Sequence, residues 1–253
     1  MMFRKLIVIF ALAMVLSVPA LAQDQNKVYI NGIDANFPPF AYVGPDGKPT
    51  GFDVDALDWI AKDMGFMVEH RPMEWSGIVA SLKAHKIDMI ASGLSLTPER
   101  ATQINFSEPY WTIKQVVVVP KNSALTLEKA LTTGLKIGVQ AGTSDAKAMA
   151  DTNGKNGREY ELVEYPNSAL AAQDVVNGNI AAAVMNDAPA ADAAGKIAVK
   201  IIGEAGIPNE VFAVGVAKDD PDTLKMINEG LAKIMADPYW QELIDKYKPG
   251  EAH

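Results

Sequence analysis

Strand-like and helix-like segments alternate along this chain, break off, and begin again, and that double series limits the folds open to it. In the first series the spacing predicts a buried strand over 27–34, a helix over 51–65, a strand over 66–73, a helix over 76–86 and a strand over 87–92. On the first helix Val54, Leu57, Ile60, Ala61 and Met64 share one face, and Gly65 stands where a helix can end. On the second, Ile78, Val79 and Leu82 point inward. The β-branched stretch 114–120 opens the second series. It predicts a helix over 125–131, a strand over 136–140, a helix after Ala141-Gly142-Thr143-Ser144, a strand over 161–165, a helix over 169–177 and a strand over 180–185. Strands over 199–202 and 211–217 and helices over 221–236 and 239–247 complete the reading.

Such βαβα series pack as parallel sheets covered by helices. Two of them predict two α/β lobes, and the carboxyl ends of their strands are where ligands of open sheets bind, so facing lobes enclose one cleft. Residues 44–51 (GPDGKPTG) read as a hairpin or turn at its rim. They lack the Gly-x-x-x-x-Gly-Lys-Ser/Thr spacing of a phosphate loop.

The first residues belong to another function. Arg4 and Lys5 precede an apolar run over 6–18, and Pro19-Ala20-Leu21-Ala22 supplies a small-residue cleavage signal. Residues 1–22 are therefore expected to be a secretory signal peptide cut after Ala22. The run is short for a membrane anchor, which needs about 20 apolar residues. A mature periplasmic protein without direct membrane insertion follows. The chain has no cysteine, which excludes disulfides, a lipidated cysteine and thiolate-bound zinc. His70, His85 and His253 are scattered, so no metal and no cofactor are expected. A net charge of -8 without a basic, aromatic-interleaved run argues against nucleic acid and anionic membrane surfaces.

Residues 91–100 (ASGLSLTPER) carry the sharpest chemical signal. Thr97, Pro98 and Glu99 read as a helix start, with Thr97 as cap. Arg100 stands in the same first turn, where the helix dipole opposes a cation by about 0.3–1 kcal/mol at exposed sites. Either Arg100 is an ordinary surface residue, or a bound anion offsets that cost. Ser92, Ser95 and Thr97 add hydroxyls, and an arginine fork fits a carboxylate. Gly142-Thr143-Ser144 offers donors at another strand-to-helix junction, or is a plain cap. Asp187, after Asn186 at the end of an apolar strand, is a cap or the acceptor for a cation. Taken together these residues suit a zwitterion, with Arg100 on its carboxylate and Asp187 on its ammonium. Phe37 and Trp75 either pack in the core or stack on the guest's side chain. Asp34 and Glu74 can reach that side chain's far end. They favour glutamine, histidine, arginine or lysine over an acidic guest.

The stretches GIDANFPPFAY, GKPTGFDVDAL, PMEWSGIVASLKAHKIDMIASGLSLTPER, INFSEPYW, IGVQAGTS and AAVMNDAPA occur in that order along the chain. In these the sequence resembles the periplasmic amino-acid-binding proteins of ABC transporters, the family 3 solute-binding proteins, and most of all their glutamine- and histidine-binding members. The resemblance implies the type II two-lobed periplasmic binding protein fold, with two β-strand hinge crossovers. It implies lobe 1 over 24–113 and 212–253, lobe 2 over 114–211, and hinges near 113–115 and 210–213. It maps the carboxylate-binding arginine onto Arg100, hydroxyl and backbone contacts onto Gly93, Ser95 and Thr143, and the ammonium-binding acid onto Asp187. The aromatic pair falls on Phe37 and Trp75, and the side-chain-reading acid on Asp34. Glutamine-binding members carry Lys and His where this chain has Gln140 and Asn186, which bears on ligand identity. Many relatives have Asp-Ala where this chain has Ala182-Ala183.

The function so implied is capture of a polar or cationic L-amino acid by hinge closure and its delivery, by a monomer, to an ABC transporter membrane permease. The rival on the same fold is an exported arogenate- or prephenate-dehydratase-like enzyme with Asp34, Glu74 or Glu108 as general acid. No Ser-His-Asp order or nucleophile elbow supports other hydrolytic chemistry.

Overall fold

A computed structural model describes residues 27–248. The expected signal peptide, residues 1–22, lies outside the described residues.

Two five-stranded sheets form the frame. The first runs in the order Met67–Pro72, Val28–Ile33, Met89–Ile90, Gly215–Val216, Asn105–Phe106; the second runs Tyr160–Tyr165, Leu135–Gln140, Ala182–Asn186, Gln115–Pro120, Val199–Glu204. In each, the first three strands are parallel and the fourth is antiparallel to both neighbours. Each sheet is thus mixed, with four of its five strands running the same way. The reason lies in the connections. The parallel strands end at the cleft, whereas Gln115–Pro120 and Gly215–Val216 each follow a crossing from the other lobe. A strand that enters from the cleft side must run away from it, against its neighbours.

The chain crosses between the sheets through Trp111–Ile113 and Glu210–Phe212, which pair as an antiparallel ribbon in the register Glu210 with Ile113 and Phe212 with Trp111. The crossing breaks the segment expected as one strand over 211–217 into Glu210–Phe212, in the ribbon, and Gly215–Val216, in the first sheet.

Local chemistry accounts for the helices. Helix Phe52–Met64 ends at Gly65, whose φ of 75° is the left-handed cap. Helix Pro221–Ala236 has Asp220 as cap, its side chain accepting the Thr223 N–H, and Pro221 at the first position. The helix expected over 76–86 is a 3-10 turn, Trp75–Gly77, followed by Ile78–Lys83. The 44–51 stretch is the expected hairpin, since Ala41–Val43 pairs antiparallel with Pro49–Thr50.

Helices cover both faces of each sheet. On the first, Leu57 and Ile60 pack with Ile227, Leu231 and Ile234 on one side, and Ile78, Leu82, Ile87 and Ile90 fill the other. On the second, Val117 and Val119 face one cluster while Val116 and Val118 face the opposite one, as the period of two requires. A strand buried on both faces needs an unbroken apolar run, and each buried valine contributes roughly 1.5–3 kcal/mol.

Candidate functional site

Where the strand ends of the two lobes meet, the fold leaves a small cavity. From the first lobe Asp34, Phe37, Trp75, Ser92, Gly93, Ser95 and Arg100 line it; from the second Gln140, Thr143, Ser144, Asp145 and Asn186 do.

Arg100 follows the Thr97 cap, whose Oγ1 accepts the Arg100 N–H at 3.2 Å. Its guanidinium leaves the helix end. Nη1 donates to the Ser95 carbonyl at 2.9 Å and Nη2 reaches the Gly142 carbonyl of the other lobe at 3.1 Å. The charge also lies 5.7 Å from the centre of the Trp75 ring, within cation–π range. Burial lowers the Arg100 pKa, while Glu210, Asp145 and Glu99 oppose that shift.

Asp34 follows strand Val28–Ile33 and is 4% exposed. Its N–H donates to Ser92 Oγ at 3.0 Å. Oδ1 accepts the Asn36 N–H at 3.0 Å, and Oδ2 accepts Gln140 Nε2 across the cleft at 2.6 Å. Burial raises its pKa, and the bond from Gln140 is the largest opposing effect. Gln140 closes strand Leu135–Gln140, so it arrives at the cavity by the same strand-end logic as Asp34.

Two glycines allow the close approaches. At Gly93, φ is 61° and an added Cβ would stand 2.3 Å from Phe37 Cε1, so the ring lies directly on the backbone. At Gly142, φ is 76° and a Cβ would stand 2.9 Å from Ser76 Cα, because here the lobes meet backbone to backbone. Phe37 and Trp75 are each buried in a core cluster and also line the cavity.

Other expected residues take different places. Asp187 is the first residue of helix Asp187–Lys196 and is not among the cavity-lining residues. Its Oδ1 accepts the Ala188 N–H at 3.0 Å and the Lys114 N–H at 3.5 Å, and burial raises its pKa. One carboxylate oxygen of the residue expected on a ligand ammonium is thus held by its own helix start and by the backbone that follows the crossing. Thr143 lines the cavity but also caps its helix, with Oγ1 donating to the Gln140 carbonyl at 2.7 Å and accepting the Ala146 N–H at 3.2 Å. Glu74 and Glu108 are exposed and stand outside the cavity wall.

The sequence did not single out Asp145 or Glu210. Asp145 lines the cavity at 4% exposure, and burial pushes it up to about 6. Glu210, on the crossing ribbon, accepts Ser144 Oγ at 2.6 Å and Gln115 Nε2 at 3.3 Å. An acid in a helix first turn reads as an ordinary dipole-favoured residue, so only the fold distinguishes Asp145. Among the described residues no group of acids and histidines is gathered that could hold a metal ion. Among the same residues no helix is long and apolar enough to cross a membrane.

Comparison with known proteins places the fold in a family. An L-arginine-binding protein of Pseudomonas aeruginosa is 31% identical over 255 residues, covering 96% of both chains. A probable histidine-binding protein of Neisseria gonorrhoeae is 29% identical over 235 residues, covering 90% of this chain and 85% of its own. Among solved structures, an ancestral amino-acid-binding protein described as a precursor of cyclohexadienyl dehydratase superposes with a TM-score of 0.79 at 32% identity, covering 87% of this chain and 95% of the other. An ancestral arginine-binding protein bound to arginine gives 0.78 at 31% identity, covering 87% and 98%. The profile of the bacterial extracellular solute-binding proteins, family 3, matches residues 29–250, and the chain belongs to that family.

Proposed function

We propose that this protein, exported by a cleaved leader, captures a cationic L-amino acid between its lobes and delivers it, as a monomer, to the membrane permease of an ABC transporter. The carrying observation is the charge content of the cavity wall: one guanidinium, Arg100, against two buried carboxylates, Asp34 and Asp145. Buried charge is tolerated only when paired. A zwitterion with a cationic side chain brings one net positive charge, which offsets the excess of carboxylate over guanidinium in the cavity wall. Arg100 takes the α-carboxylate, and Phe37 and Trp75 flank the side chain. Gly93, Ser95, Thr143 and Asn186 line its path, and the Asp34–Gln140 pair meets its far end. Asp187 is placed to meet the ammonium only after its side chain turns from Ala188 and Lys114. Because the guest touches both lobes, it favours the closed form by its differential affinity for it, with the ribbon as hinge. The arginine- and histidine-binding relatives support this choice of guest. A thermal-shift screen of the twenty amino acids tests it: arginine, lysine or histidine gives the largest shift, since stabilisation follows affinity. The largest shift from aspartate or glutamate would overturn the reading.

The solved relative described as a precursor of a dehydratase favours one second reading, an exported dehydratase for arogenate- or prephenate-like acids. Of Asp34, Glu74 and Glu108, only Asp34 lines the cavity, so it is the general acid this reading requires. Incubation with arogenate separates the two, phenylalanine appearing only if the chain is an enzyme.

A further inference from the structure

Asp53 is the second residue of helix Phe52–Met64 and is 3% exposed. Its Oδ2 accepts the Gly93 N–H at 2.6 Å and the Tyr110 hydroxyl at 2.9 Å. Its Oδ1 is buried without a hydrogen-bond partner. Its surroundings are otherwise apolar, with Leu57 and Ile60 from Asp53's own helix, Leu231 and Trp240 from the C-terminal helices, and Val214 from beside the sheet. Tyr110 is the one titratable side chain there. An unpaired buried acceptor costs about 1–3 kcal/mol, so the arrangement is not one that packing alone favours.

What this carboxylate holds is a piece of the cavity wall. Gly93 lines the cavity on its other side, and the Phe37 ring rests on it. The peptide between Ser92 and Gly93 is planar and trans, so directing the Gly93 N–H towards Asp53 directs the Ser92 carbonyl the opposite way. We propose that Asp53 is a positioning residue for the ligand cavity: its hold on the Gly93 N–H fixes the direction of the Ser92 carbonyl and the seat of the Phe37 ring. The consequence for affinity rests on the amino-acid-binding function proposed above; the hold on Gly93 does not.

The hold changes strength near neutral pH. Burial pushes Asp53 up to about 7, with the bonds from Gly93 and Tyr110 opposing. An ionised carboxylate is the stronger acceptor. The wall is therefore held more firmly above that pH than below it.

The test begins with the ligand-free protein. The Gly93 amide is followed by NMR from pH 5.5 to 8.5 in wild type, Asp53→Asn and Tyr110→Phe. The amide shift titrates in wild type with a midpoint near 7. It is flat in Asp53→Asn, whose side chain still accepts but carries no charge. In Tyr110→Phe, which loses a donor to the ionised form, the midpoint moves up. A Gly93 amide shift at pH 8.5 that is the same in wild type and Asp53→Asn overturns the hold, and a flat wild-type profile or an unmoved midpoint in Tyr110→Phe overturns its dependence on pH. Calorimetry with L-arginine then reads its consequence. At pH 8 Asp53→Asn binds about fivefold or more weakly, while its thermal stability is no lower because a buried charge has been removed. Wild-type affinity in Asp53→Asn overturns the positioning role. A wild type that binds none of the twenty amino acids sinks the transport reading, and the Gly93 titration then decides the hold on its own.

Discussion

Gln140 donates its side-chain amide to Asp34 across the cleft at 2.6 Å, and both groups are 4% exposed. The two lobes therefore share a hydrogen bond inside the cavity, between residues 106 positions apart. Gln140→Ala leaves the Asp34 carboxylate buried without that partner. Opening about the ribbon returns it to water at far less cost than unfolding. The expected outcome is a larger radius of gyration in ligand-free small-angle scattering. A scattering profile identical to wild type would refute the latch.

Arg100 makes a second polar tie across the cleft, to the Gly142 carbonyl. Removing a charge that faces a bound carboxylate leaves that carboxylate unpaired, at a cost of roughly 2–5 kcal/mol. Arg100→Ala is expected to lose binding by that amount, and Arg100→Lys to recover little of it, because an ammonium cannot make the two-pronged contact. Titration calorimetry with L-arginine reads both. Affinity within about twofold of wild type in Arg100→Ala would remove Arg100 from the site.

Gly142 and Gly47 form a matched pair. Their φ values are 76° and 78°, so a side chain strains both backbones alike. At Gly142 a Cβ meets Ser76 Cα at 2.9 Å, whereas at Gly47 nothing lies within 4 Å. Gly142→Ala is expected to weaken ligand binding about tenfold, or 1.4 kcal/mol, by propping the lobes apart. Gly47→Ala is expected to leave binding unchanged. Equal affinities in the two variants would show that closure does not bring Gly142 against Ser76.

Much of this was readable from local sequence, and the exceptions share a cause. Helix Phe52–Met64 is written in its apolar spacing and in Gly65, and Arg100 and Thr143 are marked by the helix starts beside them. The ribbon is not so written. Trp111–Ile113 has three residues, and its pairing is decided by Glu210–Phe212, far along the chain. Asp53 and Asp145 escaped notice for one reason: each is the second residue of a helix, where an acid is expected on dipole grounds alone. Only the fold shows that both are buried. At Asp187 the motif points to a ligand, and the fold adds that Oδ1 accepts the Ala188 and Lys114 N–H groups.

Asp145 gives a prediction with a definite sign in pH. Burial raises its folded pKa to about 6 from the ordinary aspartate value of 3.8. The folded state thus holds the proton over that interval and the unfolded state does not, so stability falls as pH rises from about 4 to about 6. Asp145→Asn has no such slope. It is expected to be more stable than wild type above pH 6, with the advantage shrinking towards pH 4, as read by urea unfolding across that range. The same substitution removes one of the two cavity carboxylates. The charge balance that favours a cationic guest then disappears, and the preference for arginine over glutamine falls about tenfold in paired calorimetric titrations at pH 7.5. Gain of stability without loss of preference would mean that Asp145 is buried beside the ligand yet takes no part in selecting it.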